Sequence, residues 1–590
     1  MSLSILKKLN AILDKGQKAK IGGLLFLTLI GSILETLSVA MVLPFIEAIL
    51  DEESFIKNKY VIMAMDLLNL SNIRSLVYIL LIGLIFMYIF KNVFLVFLTY
   101  LQSRFVNNNR SRCTTNLLSQ FLHRPYEYYL YAESSVIVRT IYGDMDNVFN
   151  LLFQCMSLVV ELVVSVGLII FLMVTDVKMM LVVVALLGMA TLVIMKVIKP
   201  KLGEAGDKAR DAQAGMYKWI LQPASGIKDV KVLRKEGYCT EMYRDSVTRY
   251  SNYQVTNNVL TNMPRMLIET VTMVGVLSYV GVSMAMGVDM STLASLMSAF
   301  ALAAMRLLPS VNRVNTYIAN IAYFEPALNY IYDNVDSADI RDREYNAEKN
   351  SEAGEIEIAK EIKLSNITFA YPNTDKNIFD GADMVIPVGK SVGVVGPSGS
   401  GKTTIIDILL GLLKVQGGTV ESDGKNIMDN YSSWLSHVGY IPQSIYMLDA
   451  SIKENIAFGV PADELDEDRV WQVLEQAQMK EFVSSLPDGI NSQIGERGVR
   501  ISGGQRQRLG IARALYHDPE LMIFDEATSA LDNDTETAIM EAIDALHGSK
   551  TLVIIAHRLR TIENCDLIYE VRDGKIENWR KEENATNQKM

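Results

Sequence analysis

The 590-residue sequence predicts two folds in one chain, an α-helical region of six apolar spans followed by an α/β domain. Three observations predict this division. Residues 20–325 hold six apolar runs of the ~20-residue length a bilayer requires, at 21–50, 76–101, 151–175, 177–198, 266–286 and 291–308. The last third is an ordinary charged sequence in which short apolar strands alternate with helical patterns. Half of all residues are hydrophobic and the mean hydropathy is +0.19, so the apolar excess lies upstream.

Charge sets the expected orientation. Residues 1–20 carry five lysines and read as a basic amphipathic elbow on the inner surface. Lysine and arginine are dense in 102–150 and 199–250, whereas the loops near 51–75, 175–178 and 287–290 are short or charge-balanced. The positive-inside rule then makes both termini cytoplasmic, in an integral, multi-pass protein. The acidic, polar stretch within 326–357 reads as a linker between a membrane domain at 21–325 and the α/β domain at 358–590. A net charge of −11, with no basic stripe interleaved with aromatics, argues against a nucleic-acid partner. Cysteines 113, 155, 239 and 565 show neither metal-ligand spacing nor a pairing pattern and read as reduced thiols.

The α/β domain carries the chemistry. A short apolar strand, Val392-Gly-Val-Val395, runs into Gly396-Pro-Ser-Gly-Ser-Gly-Lys402-Thr403 and then an apolar helix. In such a loop the backbone N–H groups of Gly396, Ser398, Gly399, Ser400, Gly401, Thr403 and Thr404 converge on the phosphates of ATP at the positive end of the helix dipole. Lys402 adds a point charge and the Thr403 hydroxyl suits Mg2+. The strand Leu521-Met-Ile-Phe524 delivers Asp525, suited to Mg2+, and Glu526, suited to a base that orients and deprotonates the attacking water.

Ser502, Gly503, Gly504 and Gln505, preceding the helical run Arg506-Gln-Arg-Leu-Gly-Ile-Ala-Arg, resemble the signature motif of ABC ATPases. Other stations follow in the family's order: Phe369-Ala-Tyr371-Pro, Ile441-Pro-Gln443, Ser529-Ala-Leu-Asp532, and His557 after the strand Thr551-Leu-Val-Ile-Ile555. The resemblance covers about 360–590. It implies adenine stacking by Tyr371, a catalytic switch and Mg2+ contact at Gln443, a dimer loop around Asp532 and a catalytic role for His557. It also implies that the signature faces a nucleotide held by a second copy. One motif set is present and none of its stations is degenerate, which points to a homodimer with two competent sites.

Six spans, two long inner extensions and a C-terminal ATPase resemble the half-transporter of type IV ABC exporters, with coupling helices expected near 126–135 and 221–228. Soluble ABC ATPases carry no such apolar spans. Basic residues sit deep in the spans, where each costs about 2.5–3.5 kcal/mol on insertion scales unless it faces a cavity or a partner. These are Lys91, Arg265 and Arg306. They either line a cavity for an anionic head group, or snorkel to inner-leaflet head groups, or pair with Glu161 or Glu269. The run from Glu35 to Phe45 and the apolar segment 59–70 look similar to bacterial lipid-linked oligosaccharide flippases, where Lys91 stands in place of an arginine. That resemblance implies a lipid-linked glycan as cargo in a bacterial inner membrane, with drugs, lipids and peptides as the alternative cargoes.

Overall fold

The computed structural model describes residues 3–41, 73–175, 177–286, 290–335, 355–372, 376–495, 498–526, 533–556 and 559–579, with isolated positions 45, 61, 65 and 374. The far end of the first expected span, the apolar segment 59–70 and most of the linker therefore lie outside the described residues. The chain divides into two compact units: 1–124 with 131–345, and 125–130 with 346–590.

The first unit is helical. Helices α1 (Leu3–Ile12), α2 (Lys15–Ala40), α3 (Ile73–Leu122), α4 (Tyr126–Tyr129) and α5 (Ser134–Val138) lead to one π-helical turn, Arg139–Asp144. There follow α6 (Met145–Thr175), α7 (Val177–Ser225), α8 (Ile227–Val232), α9 (Glu236–Ala285) and α10 (Met290–Asn334). Of these, α4 groups with the second unit. Helices α2, α3, α6, α7, α9 and α10 overlap the six expected apolar runs. Among the described residues, four segments are long and apolar enough to cross a membrane: Lys15–Glu35, Ser75–Leu122, Ser134–Gly167 and Glu236–Val282. The 50-residue α3 and α9 are each about 75 Å long, more than twice the ~30 Å hydrocarbon core, so both run well beyond it. Ile82, Phe86, Ile89, Val93 and Val96 of α3 are all exposed, on one stripe. An apolar face of that length suits acyl chains rather than water. Short helices occur close to both expected coupling positions, α4 at the first and α8 at the second, while α10 runs on to Asn334, into the stretch read as linker.

Beyond the apolar runs the helices pack as a conventional core. Leu202, Ala205 and Ala209 of α7 are buried against Ala319, Ala322 and Tyr323 of α10. These small side chains let the backbones approach, most closely at Gly206, where a Cβ would stand 2.0 Å from the Tyr323 carbonyl oxygen. Beside this seam Asp144, fully buried, accepts hydrogen bonds from Arg139 Nε at 3.2 Å and from Arg210 Nε and Nη2 at 2.6 and 3.2 Å. Both guanidiniums lie over the Tyr330 ring, at 4.9 and 4.4 Å. A buried carboxylate needs such partners, and here they tie the start of α6 to α7 and α10. Helix α1 buries Ile5, Leu9 and Ile12, and its Lys8 Nζ donates to Asn329 Oδ1 of α10 at 2.8 Å. The elbow's apolar face is thus covered by protein.

The second unit holds two sheets. Strands β1 (Glu361–Phe369), β2 (Phe379–Pro387), β4 (Gly417–Ser422) and β5 (Lys425–Asn426) form an antiparallel sheet of order β2-β1-β4-β5. The other sheet has the order β10-β9-β3-β8-β7-β6, from β3 (Ser391–Val395), β6 (Val438–Ile441), β7 (Leu521–Asp525), β8 (Thr551–Ile555), β9 (Leu567–Arg572) and β10 (Lys575–Asn578). Only β10 is antiparallel, at the edge. Helix α11 (Lys402–Leu409) and both sheets share one hydrophobic cluster around Phe369, Phe379, Ile405 and Trp434. Helices α12 (Tyr431–Ser436), α13 (Ile452–Ile456), α14 (Glu467–Gln476), α15 (Lys480–Ser485), α16 (Gly503–Leu515) and α17 (Asn533–Asp544) complete the unit. Residues from α13 to α17, among them Val470, Val473, Leu509 and Ile543, build a second cluster.

Replacing Gly206 with valine would drive a branched side chain into the α10 backbone, an overpacking that costs about 1–3 kcal/mol or more. The detergent-solubilised protein is expected to melt several degrees lower, measured by intrinsic-fluorescence thermal scanning. An unchanged midpoint would contradict the close approach.

Candidate active site and membrane cavity

Strand register brings the motif residues to one edge. Val394 pairs with Ile555 and Ile555 with Asp525, so β3, β8 and β7 end side by side. The loop after Val395 and the Asp525 carboxylate therefore share one rim of the sheet. Ile441 of β6 pairs with Phe524. Two residues on along each parallel strand, Gln443 and Glu526 meet, with Gln443 Nε2 donating to Glu526 Oε2 at 2.6 Å.

The loop itself is closed to side chains at two points. Gly396 (φ 152°) and Gly401 (φ 107°) lie at positive φ. A Cβ would approach the Val571 carbonyl oxygen at 2.4 Å from Gly396, and the Ile378 Cγ2 at 2.8 Å from Gly401. Ser398 and Gly399 are exposed at the tip. Lys402, the first residue of α11, is buried, and its Nζ donates to the carbonyl oxygens of Gly396 and Pro397, at 3.0 Å each. The Ser400 Oγ is buried without a hydrogen-bond partner. A buried orphan hydroxyl in a glycine loop at a helix N-terminus fits a phosphate group. Alongside, Tyr371 packs edge-on to Phe369 and its hydroxyl lies 3.1 Å from Thr404 Oγ1.

The acidic side of the rim is electrostatically loaded. Asp525 is almost fully buried, and Asp407 of α11 has its carboxyl pushed up to about 6 by burial and by the charge of Asp525. Burial also raises the phenol of Tyr440, which hydrogen-bonds Asp525. Crowded carboxylates of this kind suit a divalent cation, and the exposed Thr403 hydroxyl and the Asp525 carboxylate are hard oxygen donors of the type Mg2+ prefers. Glu526 sits just past the strand with φ 50°, a left-handed conformation that costs a non-glycine residue ~1 kcal/mol or more. Its amide donates to the Ile555 carbonyl at 3.2 Å, which holds that turn.

The signature residues lie elsewhere in the unit. Ser502 caps α16 in a capping box: its Oγ accepts from the Gln505 amide at 3.2 Å and Gln505 Oε1 accepts from the Ser502 amide at 2.9 Å. Ser502 and Gly503 are exposed and Gly504 is buried. Helix α16 packs in the second hydrophobic cluster, whereas α11 packs in the first, so signature and phosphate loop belong to different cores. His557 and Asp532 lie outside the described residues.

A family model described as "ABC transporter" matches residues 379–529, and one described as "ABC transporter transmembrane region" matches residues 21–307. The chain is a member of the ABC transporter family. It joins that family's membrane region to its ATPase domain. Among curated relatives of this ABC transporter, the "ATP-dependent lipid A-core flippase" of Cupriavidus pinatubonensis is 27% identical over 81% of the chain and 80% of the relative. The "Multidrug resistance ABC transporter ATP-binding and permease protein" of Lactococcus lactis is 28% identical over 78% and 77%. The "ABC transporter BEA3" of Gibberella fujikuroi is 39% identical over 37% of the chain, which spans only 17% of that larger protein. In fold, the chain resembles a bacterial Atm1-family ABC exporter solved with ATP bound, with a TM-score of 0.74, 20% identity and 95% coverage of each chain.

The transporter's membrane unit contains a cavity of about 690 Å3 between α9 and α10. Arg265, Glu269 and Asn262 line it from α9, and Asn312, Arg313 and Tyr317 from α10. Sequence reasoning selected Arg265 but missed Arg313, which lies just past the last apolar run. Glu161 of α6 is buried and accepts from Arg313 Nε at 2.6 Å and Nη2 at 3.0 Å. Glu161 therefore pairs with Arg313, and among the described side chains neither Lys91 nor Arg265 is bonded to it. Lys91 is largely buried with its Nζ over the Tyr88 ring at 4.8 Å, and it is not among the cavity's lining residues. Arg306 falls on α10, but its side chain lies outside the described residues.

Lys402→Ala is expected to weaken ATP binding at least tenfold, because a charge-assisted phosphate contact contributes about 1.5–3 kcal/mol. Fluorescent-nucleotide titration measures it. Unchanged affinity would remove Lys402 from the phosphate site.

Proposed function

We propose that two copies of this chain form a homodimer that uses ATP hydrolysis to export or flip an amphiphilic lipid, most specifically a lipid-linked oligosaccharide or related glycolipid, across a bacterial inner membrane. Both termini face the cytoplasm. The observation that carries the cargo class is the placement of Arg265 and Arg313 in one cavity whose wall also includes Met273, Leu308 and Pro309. The Arg265 guanidinium can fork onto phosphate oxygens in bidentate fashion, Arg313 shapes the wall while held by Glu161, and the apolar wall suits an acyl or polyprenyl chain. The relative named a lipid A-core flippase supports a lipid cargo. The multidrug relative, and the same apolar wall, support the second reading, a general amphiphile exporter.

In the motor, the loop 396–404 holds the β- and γ-phosphates, Lys402 neutralises them, and Tyr371 stacks on the base. Thr403, Asp525 and Gln443 would hold Mg2+, which when bound would offset charge on the phosphates. Glu526 orients the attacking water and takes its proton, with its carboxylate fixed by Gln443. His557 contributes to catalysis by the family resemblance. The turn 502–505 of the second copy closes over the nucleotide with the N-terminus of α16, and the loop around Asp532 seals the dimer.

Glu526→Gln keeps the Gln443 neighbour and removes the base. Nucleotide binding should persist while steady-state ATPase falls by about 100-fold or more, within the range general-base loss produces. Near-normal turnover would overturn the assignment. Mixing Ser502→Arg chains with Lys402→Ala chains tests the composite site, because one mixed dimer places both defects in one site and leaves the other intact. Nucleotide trapping should recover at a single site per mixed dimer, and no recovery under confirmed mixing would exclude the shared arrangement.

For the cargo, Arg265→Gln is combined with the paired change Arg313→Gln and Glu161→Gln, which avoids stranding a buried charge. Flipping of a fluorescent pyrophosphate-linked glycolipid in proteoliposomes should be lost. Lys91→Gln and Arg306→Gln are scored in the same assay: loss of flipping supports a head-group role, and full retention marks them as surface anchors. Undiminished flipping by the Arg265/Arg313 variant would reject the basic cavity in favour of the general exporter.

A further inference from the structure

A second cavity, about 300 Å3, lies inside the membrane unit where α7, α9 and α10 meet the start of α6. It is separate from the arginine-lined cavity: no residue lines both. Counting along the helices, Gln254 and Tyr250 stand 11 and 15 residues before Arg265 on α9, about 16 and 22 Å at 1.5 Å per residue.

The lining is aromatic and amide in character. Tyr217, Tyr250 and Tyr323 present rings and hydroxyls, and Gln213 and Gln254 present carboxamides. Gln254 Nε2 donates to Tyr250 Oη at 2.8 Å, which fixes that pair as one polar surface. Tyr323 is only 5% exposed, and its hydroxyl has no hydrogen-bond partner. Burial pushes the phenols of Tyr217 and Tyr323 up, which keeps both neutral and able to donate.

The two charged residues on the wall are already matched. Arg210 is held by Asp144 and Asp207, and Asp146 pairs with Arg110 at 3.0 Å. A phosphate or an ammonium group would meet charges that are spoken for. What remains is a surface of ring faces, hydroxyls and amides, which matches the C–H faces and hydroxyl edges of a sugar. A fully apolar ligand would strand the Tyr323 hydroxyl.

We propose that this cavity is a subsite for an uncharged, polyhydroxylated group, one or two sugar residues, with Tyr323, Tyr250 and Gln254 as its hydrogen-bonding and stacking wall. It deepens the glycolipid reading above: the arginine-lined cavity takes the anionic linkage and this one reads the glycan. The two sources of such a group are the head of a lipid-linked substrate and a free cytosolic saccharide.

Saturation-transfer NMR on the full-length transporter in nanodiscs tests it, with N,N′-diacetylchitobiose, maltose and lactose as neutral probes and inorganic pyrophosphate as the charged control. At least one disaccharide should show transfer to its ring protons. Tyr250→Leu and Gln254→Leu should each weaken that binding at least tenfold and Tyr250→Phe should largely retain it, with melting midpoints verifying the fold of each variant. Adding a pyrophosphate-linked glycolipid to the disc then separates the sources: displacement of the disaccharide identifies the lipid head, and undisturbed binding identifies a free saccharide. No transfer to any neutral probe, or transfer indifferent to the substitutions, would overturn the subsite and leave a water-filled space. Because the readout needs no flipping, its failure is distinguishable from failure of the transport reading.

Discussion

The parallel alignment of β3, β8, β7 and β6 is the constraint on which the catalytic chemistry depends. Parallel strands with matched ends bring together side chains that are far apart in sequence, since the residues just past each strand emerge on one rim. Gln443 and Glu526 lie 83 positions apart, yet meet because Ile441 pairs with Phe524 two residues earlier on each strand. A one-residue slip between β6 and β7 would break that contact and turn β7's side chains to the opposite faces. The fully buried sequence of β7 guards against such a slip by filling both faces of the sheet with apolar contacts.

The membrane unit solves a different problem with two solvents. Along the apolar runs the helices leave large side chains outward, as a hydrocarbon environment permits. Past those runs they adopt the rules of a water-soluble protein, with small residues in the helix seam and a buried ion cluster. Asp144 stands at that change of regime. Bound by two arginines that both pack on the Tyr330 ring, it supplies polar specificity where α6, α7 and α10 converge, and the π-helical turn from Arg139 to Asp144 supplies the local geometry.

Sequence alone made the motor legible because its chemistry is concentrated in short contiguous motifs. Lys402, Asp525 and Glu526 fall in short motifs whose type and spacing are readable locally, and strand register brings them to one rim. The membrane region was legible in outline, from apolar run lengths, but not in its pairings. Glu161 and Arg313 are 152 residues apart, and nothing local distinguishes Arg313 from the other basic residues near span ends. Its partner is chosen by the packing of α6 on α10, a tertiary fact. The second cavity was invisible for the same reason: tyrosines and carboxamides scattered over four elements carry no pattern until the helices converge.

Gly206 has a mechanical consequence. With the Tyr323 carbonyl occupying the space of a missing Cβ, α7 and α10 interlock at one point, and neither can slide past the other by a turn. Such a shift would present Leu202 or Arg210 to that carbonyl, and neither side chain fits there. A close approach of this kind resists relative sliding of the two helices along their shared seam.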